Sequence, residues 1–146
     1  MTAPSFRSDK QFGSYNEIHY LPTFSRFFNT TLQKTADEYD PLDYCDVPKT
    51  VYVELKSRRI KHNDYTTCLI GANKVAKCKE NIRANPNTKH YFCYAYTDGL
   101  YYIEYNDALF DTFERKLYQR GERSDITDNP KDTVFIPTHL LQSISV

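Results

Sequence analysis

The stretch Val51-Tyr52-Val53-Glu54-Leu55-Lys56 decides the fold prediction, because it is the clearest strand pattern in the chain. Its apolar and polar positions alternate with the two-residue period of a β-strand. The three aliphatic side chains share one face, which we expect to lie against the core. Glu54 and Lys56 share the other face, which we expect to lie at the surface, so that a carboxylate and an ammonium project together.

The segments around this strand predict a mixed α/β protein. The first half contains a helix over 12–29 with its N-cap at Ser14 and a kink or break at Pro22, strands over 42–45 and 50–57, and a polar loop over 58–68. A helix from 71 or 73 to 83 follows, and then a hairpin of 90–97 and 100–105 around Asp98-Gly99. The rest is a helix from 106 or 107 with Leu109, Phe110, Phe113 and Leu117 on one side, a polar segment over 119–132, a strand over 134–136 and a short final turn of helix. Because helices and strands are interleaved, we expect one α/β (α+β) domain over residues 1–146, with a mixed central sheet flanked by helices.

Asp43 lies on the short strand that precedes the central strand. The turn Asp46-Val47-Pro48-Lys49 joins the two strands, and pairing across it brings Asp43 within about two positions of Glu54. Two carboxylates and Lys56 then converge. Mg²⁺ takes oxygen ligands and commonly uses one or two carboxylates, so this cluster suits phosphodiester hydrolysis. A solvated cross-strand charge cluster is the alternative interpretation of the same residues.

Seven short motifs occur in a fixed order along residues 12–141. They are Phe12-Gly13…Asn16-Glu17, Leu21-Pro22, Tyr39-Asp40-Pro41-Leu42-Asp43, Val53-Glu54-Leu55-Lys56-Ser57-Arg58, Ile70-Gly71-Ala72-Asn73-Lys74, Asp98-Gly99-Leu100-Tyr101-Tyr102 and Ile136-Pro137…Leu140-Leu141. In this order the chain resembles the PD-(D/E)XK, or restriction-endonuclease-like, nucleases, and in particular their small members from phages and large DNA viruses. One departure is Leu42 before Asp43, where the family pattern has a proline.

The resemblance implies a restriction-endonuclease-like core and a metal site within it. It implies that Asp43 and Glu54 are metal ligands, that the Leu55 carbonyl is a backbone ligand and that Lys56 is the catalytic lysine. The cofactor it implies is Mg²⁺, with Mn²⁺ as a substitute.

Two further residues acquire roles from the same resemblance. Glu17 would reach the metal through water, and its alternative interpretation is the glutamate of a capping box that begins at Ser14. Lys74 would face the site from the next helix as a further catalytic residue. Its alternative is a solvated lysine in the first turn, although a helix N-terminus disfavours a cation.

Two basic stretches are candidates for contacts with a nucleic-acid backbone. The residues are Arg58, Arg59, Lys61 and Tyr65 after the motif, and Arg120 and Arg123 in the second stretch. Ordinary solvated charge is the alternative for both. The Tyr-rich hairpin has rings that could stack on bases, but they equally suit the core and the sheet face.

The composition limits the other classes of function. Lys and Arg total 19 and Asp and Glu total 19, so the chain carries no strong basic field. The four cysteines form no Cys-x-x-Cys pair, which argues against a zinc site and favours reduced thiols in an intracellular protein that is not secreted. No apolar run approaches the roughly 20 residues of a membrane helix, so we expect no membrane partner.

These features favour a Mg²⁺-dependent DNA endonuclease, and a DNA structure or junction is one candidate substrate. We expect a homodimer, because one chain offers one site and cutting both strands needs two. One alternative is a nuclease fold without activity, kept for nucleic-acid binding or virion assembly. The other is a structural protein in which the charge cluster is incidental.

Overall fold

The computed structural model describes residues 8–35, 42–119 and 130–145. Within these ranges the elements are α1 (Asp9–His19), α2 (Leu21–Phe27), β1 (Leu32–Lys34), β2 (Tyr44–Asp46), β3 (Val51–Ser57), β4 (Thr67–Gly71), α3 (Ala72–Ala84), β5 (Lys89–Tyr96), β6 (Gly99–Glu104), α4 (Asp107–Phe110), β7 (Glu114–Tyr118), β8 (Lys131–Pro137), a 3-10 turn (Thr138–Leu140) and β9 (Gln142–Ile144). None of the helices in the described ranges is long and apolar enough to cross a membrane.

The strands form a six-stranded sheet of order β1-β2-β3-β5-β6-β9 and a three-stranded sheet of order β4-β8-β7. In the larger sheet β3 and β5 are parallel and the other neighbours are antiparallel. The chain between β3 and β5 carries β4 and α3, which is the crossover that a parallel pair requires. The predicted mixed sheet with flanking helices, and with it the restriction-endonuclease-like fold class, is confirmed.

The central strand β3 is covered on both faces. On one face Val53 and Leu55 pack in a cluster with Phe24 of α2. On the other face Tyr52 lies in a cluster with Cys78 of α3 and with residues of β4 and β8. The expectation that the Glu54 face lies at the surface is therefore wrong, because α3 and the smaller sheet cover it.

The first helix begins earlier than predicted and is split. Ser8, and not Ser14, is the N-cap, and its side chain accepts a hydrogen bond from the Gln11 N–H at 3.2 Å. The helix stops at Tyr20, and α2 follows with Pro22 in its first turn. The split predicted at Pro22 is confirmed, since proline lacks the N–H that a continuous helix would need there.

Several boundaries differ because strand pairing overrides local pattern. β2 is Tyr44–Asp46 rather than 42–45, and the Asp46 carboxylate closes the turn by accepting the Thr50 and Val51 N–H groups at 2.7 and 3.1 Å. The loop predicted over 58–68 ends earlier, because residues 67 and 68 belong to β4. The predicted helix over 71–83 and the hairpin around Asp98-Gly99 are confirmed as α3 and as β5 with β6.

The helix predicted to include Phe113 and Leu117 is wrong beyond Phe110. Glu114–Tyr118 forms β7, which pairs with β8. The strand predicted over 134–136 is accordingly longer, as β8 begins at Lys131. An ion pair between Arg115 and Asp132 at 2.6 Å ties the two strands together.

Candidate metal and nuclease site

The site lies where the β2–β3 ladder ends. β2 pairs Tyr44 with Val53, and one further step of the same register places Asp43 opposite Glu54. Beyond this pair, the Leu55 N–H donates to Asp43 Oδ2 at 2.8 Å, so a carboxylate oxygen accepts the hydrogen bond that a backbone carbonyl would accept in a continued ladder. The N–H and C=O of one strand residue point to the same side of the strand, so the Leu55 carbonyl is directed to the side of β3 on which Asp43 lies.

Glu54 lies at the centre of a cluster of charged groups. Its Oε1 is 3.4 Å from the Lys56 ammonium, and its Oε2 is 3.5 Å from the Lys74 ammonium. Its side chain also hydrogen-bonds that of Asp43. Only 2% of Glu54 is exposed, and its Oε2 makes no hydrogen bond within the described part of the chain. Burying a carboxylate in this way is costly unless cations accompany it.

The carboxyl pair has raised pKa values because it is buried. Burial and the adjacent charge of Asp43 raise the pKa of Glu54 to about 8, and Lys56 and Lys74 only partly offset this. Burial also raises the pKa of Asp43, while the hydrogen bond from Leu55 acts in the opposite direction. Two adjacent carboxyl groups resist simultaneous ionisation until positive charge is supplied.

Lys74 reaches the cluster from the first turn of α3. The helix begins directly after β4, with Gly71 as its N-cap. A Cβ at Gly71 would lie 2.5 Å from Asn73 Oδ1, so a larger residue there would require the Asn73 side chain to move. The Lys74 side chain is only 19% exposed, which rules out the solvated alternative. A cation at this unfavourable helix end is explained by the buried Glu54 beside it.

Glu17 lies near Asp43 but is directed elsewhere. Its charge contributes to the raised pKa of Asp43, and its backbone carbonyl accepts the Tyr44 hydroxyl. Its carboxylate pairs with Lys34 at 3.1 Å. The capping-box alternative is wrong, because α1 begins at Asp9 and Glu17 lies in its C-terminal half. A contact with a metal through water stays a prediction.

Two residues outside the predicted set hold the framework of the site. Asn16 of α1 is buried and donates its Nδ2 to Ser57 Oγ at 3.1 Å, which fastens α1 to β3. Thr35 donates its N–H to the Asp43 carbonyl and its hydroxyl to the Leu42 carbonyl, which fixes the backbone next to the Asp43 side chain. Asn16 stood in a quoted motif beside Glu17, but nothing in the sequence singled out Thr35, because its role depends on the β1–β2 register.

The structure divides the predicted nucleic-acid contacts. Arg59 is occupied within the protein, since its guanidinium contacts Asp9 at 3.4 Å, donates to the Ser8 carbonyl and lies 5.5 Å from the centre of the Phe12 ring. Lys61 is exposed.

The remaining predicted contacts have different surroundings. Tyr65 is 65% exposed. Arg58 is partly buried, and its Nη1 donates to the Ser57 carbonyl at 3.2 Å. Arg120 and Arg123 lie outside the described residues. The contact role of each stays a prediction.

The donors at the site fit a hard cation. The Asp43 and Glu54 side chains lie side by side, and Mg²⁺ commonly takes only one or two carboxylates and keeps several waters. The Leu55 carbonyl as a third ligand stays a prediction. Glu54 Oε2 accepts no hydrogen bond within the described residues, although the Lys74 ammonium lies 3.5 Å away, so this oxygen has coordination capacity left for a metal ion. No group of three or more His, Cys, Asp or Glu residues within 8–35, 42–119 and 130–145 is arranged to hold an ion. The four cysteines are buried, and none of them forms a disulfide within the described residues.

Comparison with known proteins places the chain in a family. No curated protein matches it. Residues 14–144 match the family model described as "Phage putative PDDEXK endonuclease". The matched range includes Asp43, Glu54, Lys56 and Lys74, and it supports a nuclease in general. Because the match spans most of the 146 residues, the chain belongs to this phage PDDEXK endonuclease family.

Proposed function

We propose that the chain is a Mg²⁺-dependent DNA endonuclease, for which Mn²⁺ can substitute. The observation that carries the proposal is the buried Glu54 carboxylate, with Asp43 beside it and one lysine ammonium at each of its oxygens. An ion pair that only stabilises the fold needs one cation for each buried carboxylate. Here Glu54 has two lysine ammonium groups beside it and a second acid, Asp43, next to it. A phosphodiester site uses such cations, because the scissile phosphate and the attacking water develop negative charge.

Asp43, Glu54 and the Leu55 carbonyl would hold the ion. When bound, Mg²⁺ lowers the pKa of a coordinated water and offsets charge on the phosphate. The Leu55 N–H keeps the Asp43 carboxylate fixed at 2.8 Å, so one ligand is oriented before the ion arrives.

The two lysines have different tasks in this proposal. Lys56 is on the motif strand two residues after Glu54, so its ammonium is placed to orient the attacking water and to stabilise developing charge. Lys74 enters from the N-terminus of α3, where backbone N–H groups also favour an anion, so it is placed to bind the substrate phosphate.

Substrate contacts would come from the segment after β3. Lys61 and Tyr65 are the exposed members of the predicted set, and Arg58 lies directly after the strand. Arg59 would act indirectly, by fixing this segment to the start of α1. A homodimer with closed two-fold symmetry would supply the two sites that a double-strand cut needs.

Cleavage assays on the purified chain test this function. Supercoiled plasmid, linear duplex, single-stranded DNA, branched DNA and RNA would each be incubated with Mg²⁺, Mn²⁺ or EDTA. We expect metal-dependent cleavage of DNA that EDTA stops and that Asp43→Asn abolishes. The control is Glu80→Gln on the exposed side of α3, which should cut at the parental rate.

The same assay separates the alternatives. Binding of DNA without cleavage under every condition would favour the inactive nuclease-fold module. Parental cleavage by Asp43→Asn would show that the site is wrongly assigned. A preference for branched over linear DNA would support the junction-directed form of the proposal.

A further inference from the structure

Asp43 lies one residue before β2, and its backbone is held from the β1 side. The Thr35 N–H donates to the Asp43 carbonyl at 2.9 Å. The Thr35 hydroxyl donates to the Leu42 carbonyl at 2.8 Å and lies 3.3 Å from the Asp43 carbonyl. One residue therefore holds two consecutive peptide units, and the second of them carries the candidate metal ligand.

The two kinds of contact have different origins. β1 pairs with β2 in a register that sets Lys34 opposite Tyr44, and one further step sets Thr35 opposite Asp43. The bond from the Thr35 N–H is that extra ladder step, which any residue except proline could supply. The bond from the hydroxyl depends on the side chain. Because a hydroxyl has a single proton, the shorter contact to Leu42 is the principal one.

On the β3 side, Asp43 is held through its side chain. Its Oδ2 accepts the Leu55 N–H at 2.8 Å. The carboxylate thus spans from a backbone fixed by Thr35 to an amide on β3. Leu42 is 2% exposed, so water cannot readily replace a lost bond at this point, and the chain would shift instead.

We propose that Thr35 is a positioning residue, whose hydroxyl fixes the peptide units from which the Asp43 carboxylate reaches Leu55 and the cation held beside it. The part that concerns the cation rests on the proposed function. The part that concerns Leu55 does not. Loss of a partner that orients a metal ligand typically weakens metal binding by about 10- to 100-fold.

The test compares three variants in the full chain. Thr35→Val removes the hydroxyl at nearly constant shape, and Thr35→Ser restores it. Thr30→Val is the matched control, because its hydroxyl also bonds within this part of the protein, to Asp46 Oδ2 at 3.1 Å, away from Asp43. If valine is not accommodated at position 35, Thr35→Ala is measured in the same way.

Two measurements are made on each variant. Hydrogen exchange of the Leu55 amide, without metal, reports whether the Asp43 carboxylate stays on that amide. Calorimetric titration with Mn²⁺ reports cation affinity. We expect Thr35→Val to speed Leu55 exchange and to weaken Mn²⁺ binding by about tenfold or more, with both restored in Thr35→Ser and neither changed in Thr30→Val.

The outcomes separate this proposal from the proposed function. Leu55 exchange in Thr35→Val equal to that in Thr30→Val would overturn the positioning role. Faster exchange with unchanged Mn²⁺ affinity would overturn its link to the cation. If the unaltered chain bound no Mn²⁺, the metal-dependent function would fail, and the exchange result would still decide what Thr35 does.

Discussion

Replacing Glu54 with glutamine should stabilise the protein in the absence of metal. The folded protein holds this carboxyl at a pKa of about 8, against an ordinary value of 4.5, because the group is buried next to Asp43. Between these pH values the unfolded chain releases a proton that the folded chain keeps. The stability associated with the protonated group is therefore complete below pH 4.5 and is lost as the pH rises toward 8.

The size of the effect follows from the shift in pKa. A difference of about 3.5 units at roughly 1.36 kcal/mol per unit gives a limit of about 5 kcal/mol above pH 8, and about 3 kcal/mol at pH 7. Glutamine has no charge to lose, so it avoids this penalty. Its amide must still find partners beside two ammonium groups, which costs about 1 kcal/mol. We expect a net gain of about 2 kcal/mol at pH 7.

Urea unfolding at pH 5, 7 and 8.5 in the presence of EDTA would measure this gain. The advantage of Glu54→Gln over the parent should grow with pH across these three values. Glu80→Gln makes the same chemical change at an exposed position of α3 and should show no such trend. A Glu54→Gln variant less stable than the parent at pH 8.5, or an advantage independent of pH, would refute the assignment of a costly buried carboxylate.

Three other predictions concern lysine roles, acid stability and Arg59. In single-turnover reactions at saturating DNA, Lys56→Ala should lower the cleavage rate by on the order of 100-fold. Lys74→Ala should weaken DNA binding more than it lowers the cleavage rate. If both variants lost only DNA affinity, Lys56 would not have the catalytic role. Burial lowers the pKa of His90 to about 4, so the stability that the neutral ring contributes should be present above pH 6.5 and lost as the pH falls toward 4. His90→Gln should remove this part of the pH dependence of the urea midpoint. An unchanged pH profile in His90→Gln would contradict this role of His90. Arg59→Ala should lower the urea midpoint and leave DNA affinity nearly unchanged, because the Arg59 guanidinium contacts Asp9 and Phe12 of α1. An unchanged midpoint with weakened DNA binding would instead support Arg59 as a substrate contact.

The sequence was most informative where one strand carried both the fold and the chemistry. The alternation in 51–56 predicted β3 and the shared face of Glu54 and Lys56, and the turn after Asp46 predicted the partner strand. These features are local, since a two-residue period and a short turn fix them without knowledge of the rest of the chain. The structure brings Asp43, Glu54, Lys56 and Lys74 together, and their functional roles stay predictions.

The features that the sequence did not predict depend on contacts between distant segments. Glu54 is buried because α3 and the smaller sheet cover its face, and no pattern within β3 reveals that cover. Leu117 fits a helical period with Phe110 and Phe113, but pairing with β8 determines a strand instead. Arg59 resembled a substrate contact because its partners at the start of α1 lie about 50 positions earlier in the chain.

Anomalous scattering from crystals soaked in Mn²⁺ would locate the cation itself and so test whether Asp43 and Glu54 form a metal site. We expect a peak about 2.1 Å from carboxylate oxygens of both Asp43 and Glu54, with the Leu55 carbonyl facing the same ion. We also expect the Lys74 ammonium to move away from Glu54 Oε2, from which it now lies 3.5 Å. An ordered Asp43 and Glu54 with no peak between them, at a Mn²⁺ concentration that supports DNA cleavage, would contradict a metal site at these two residues.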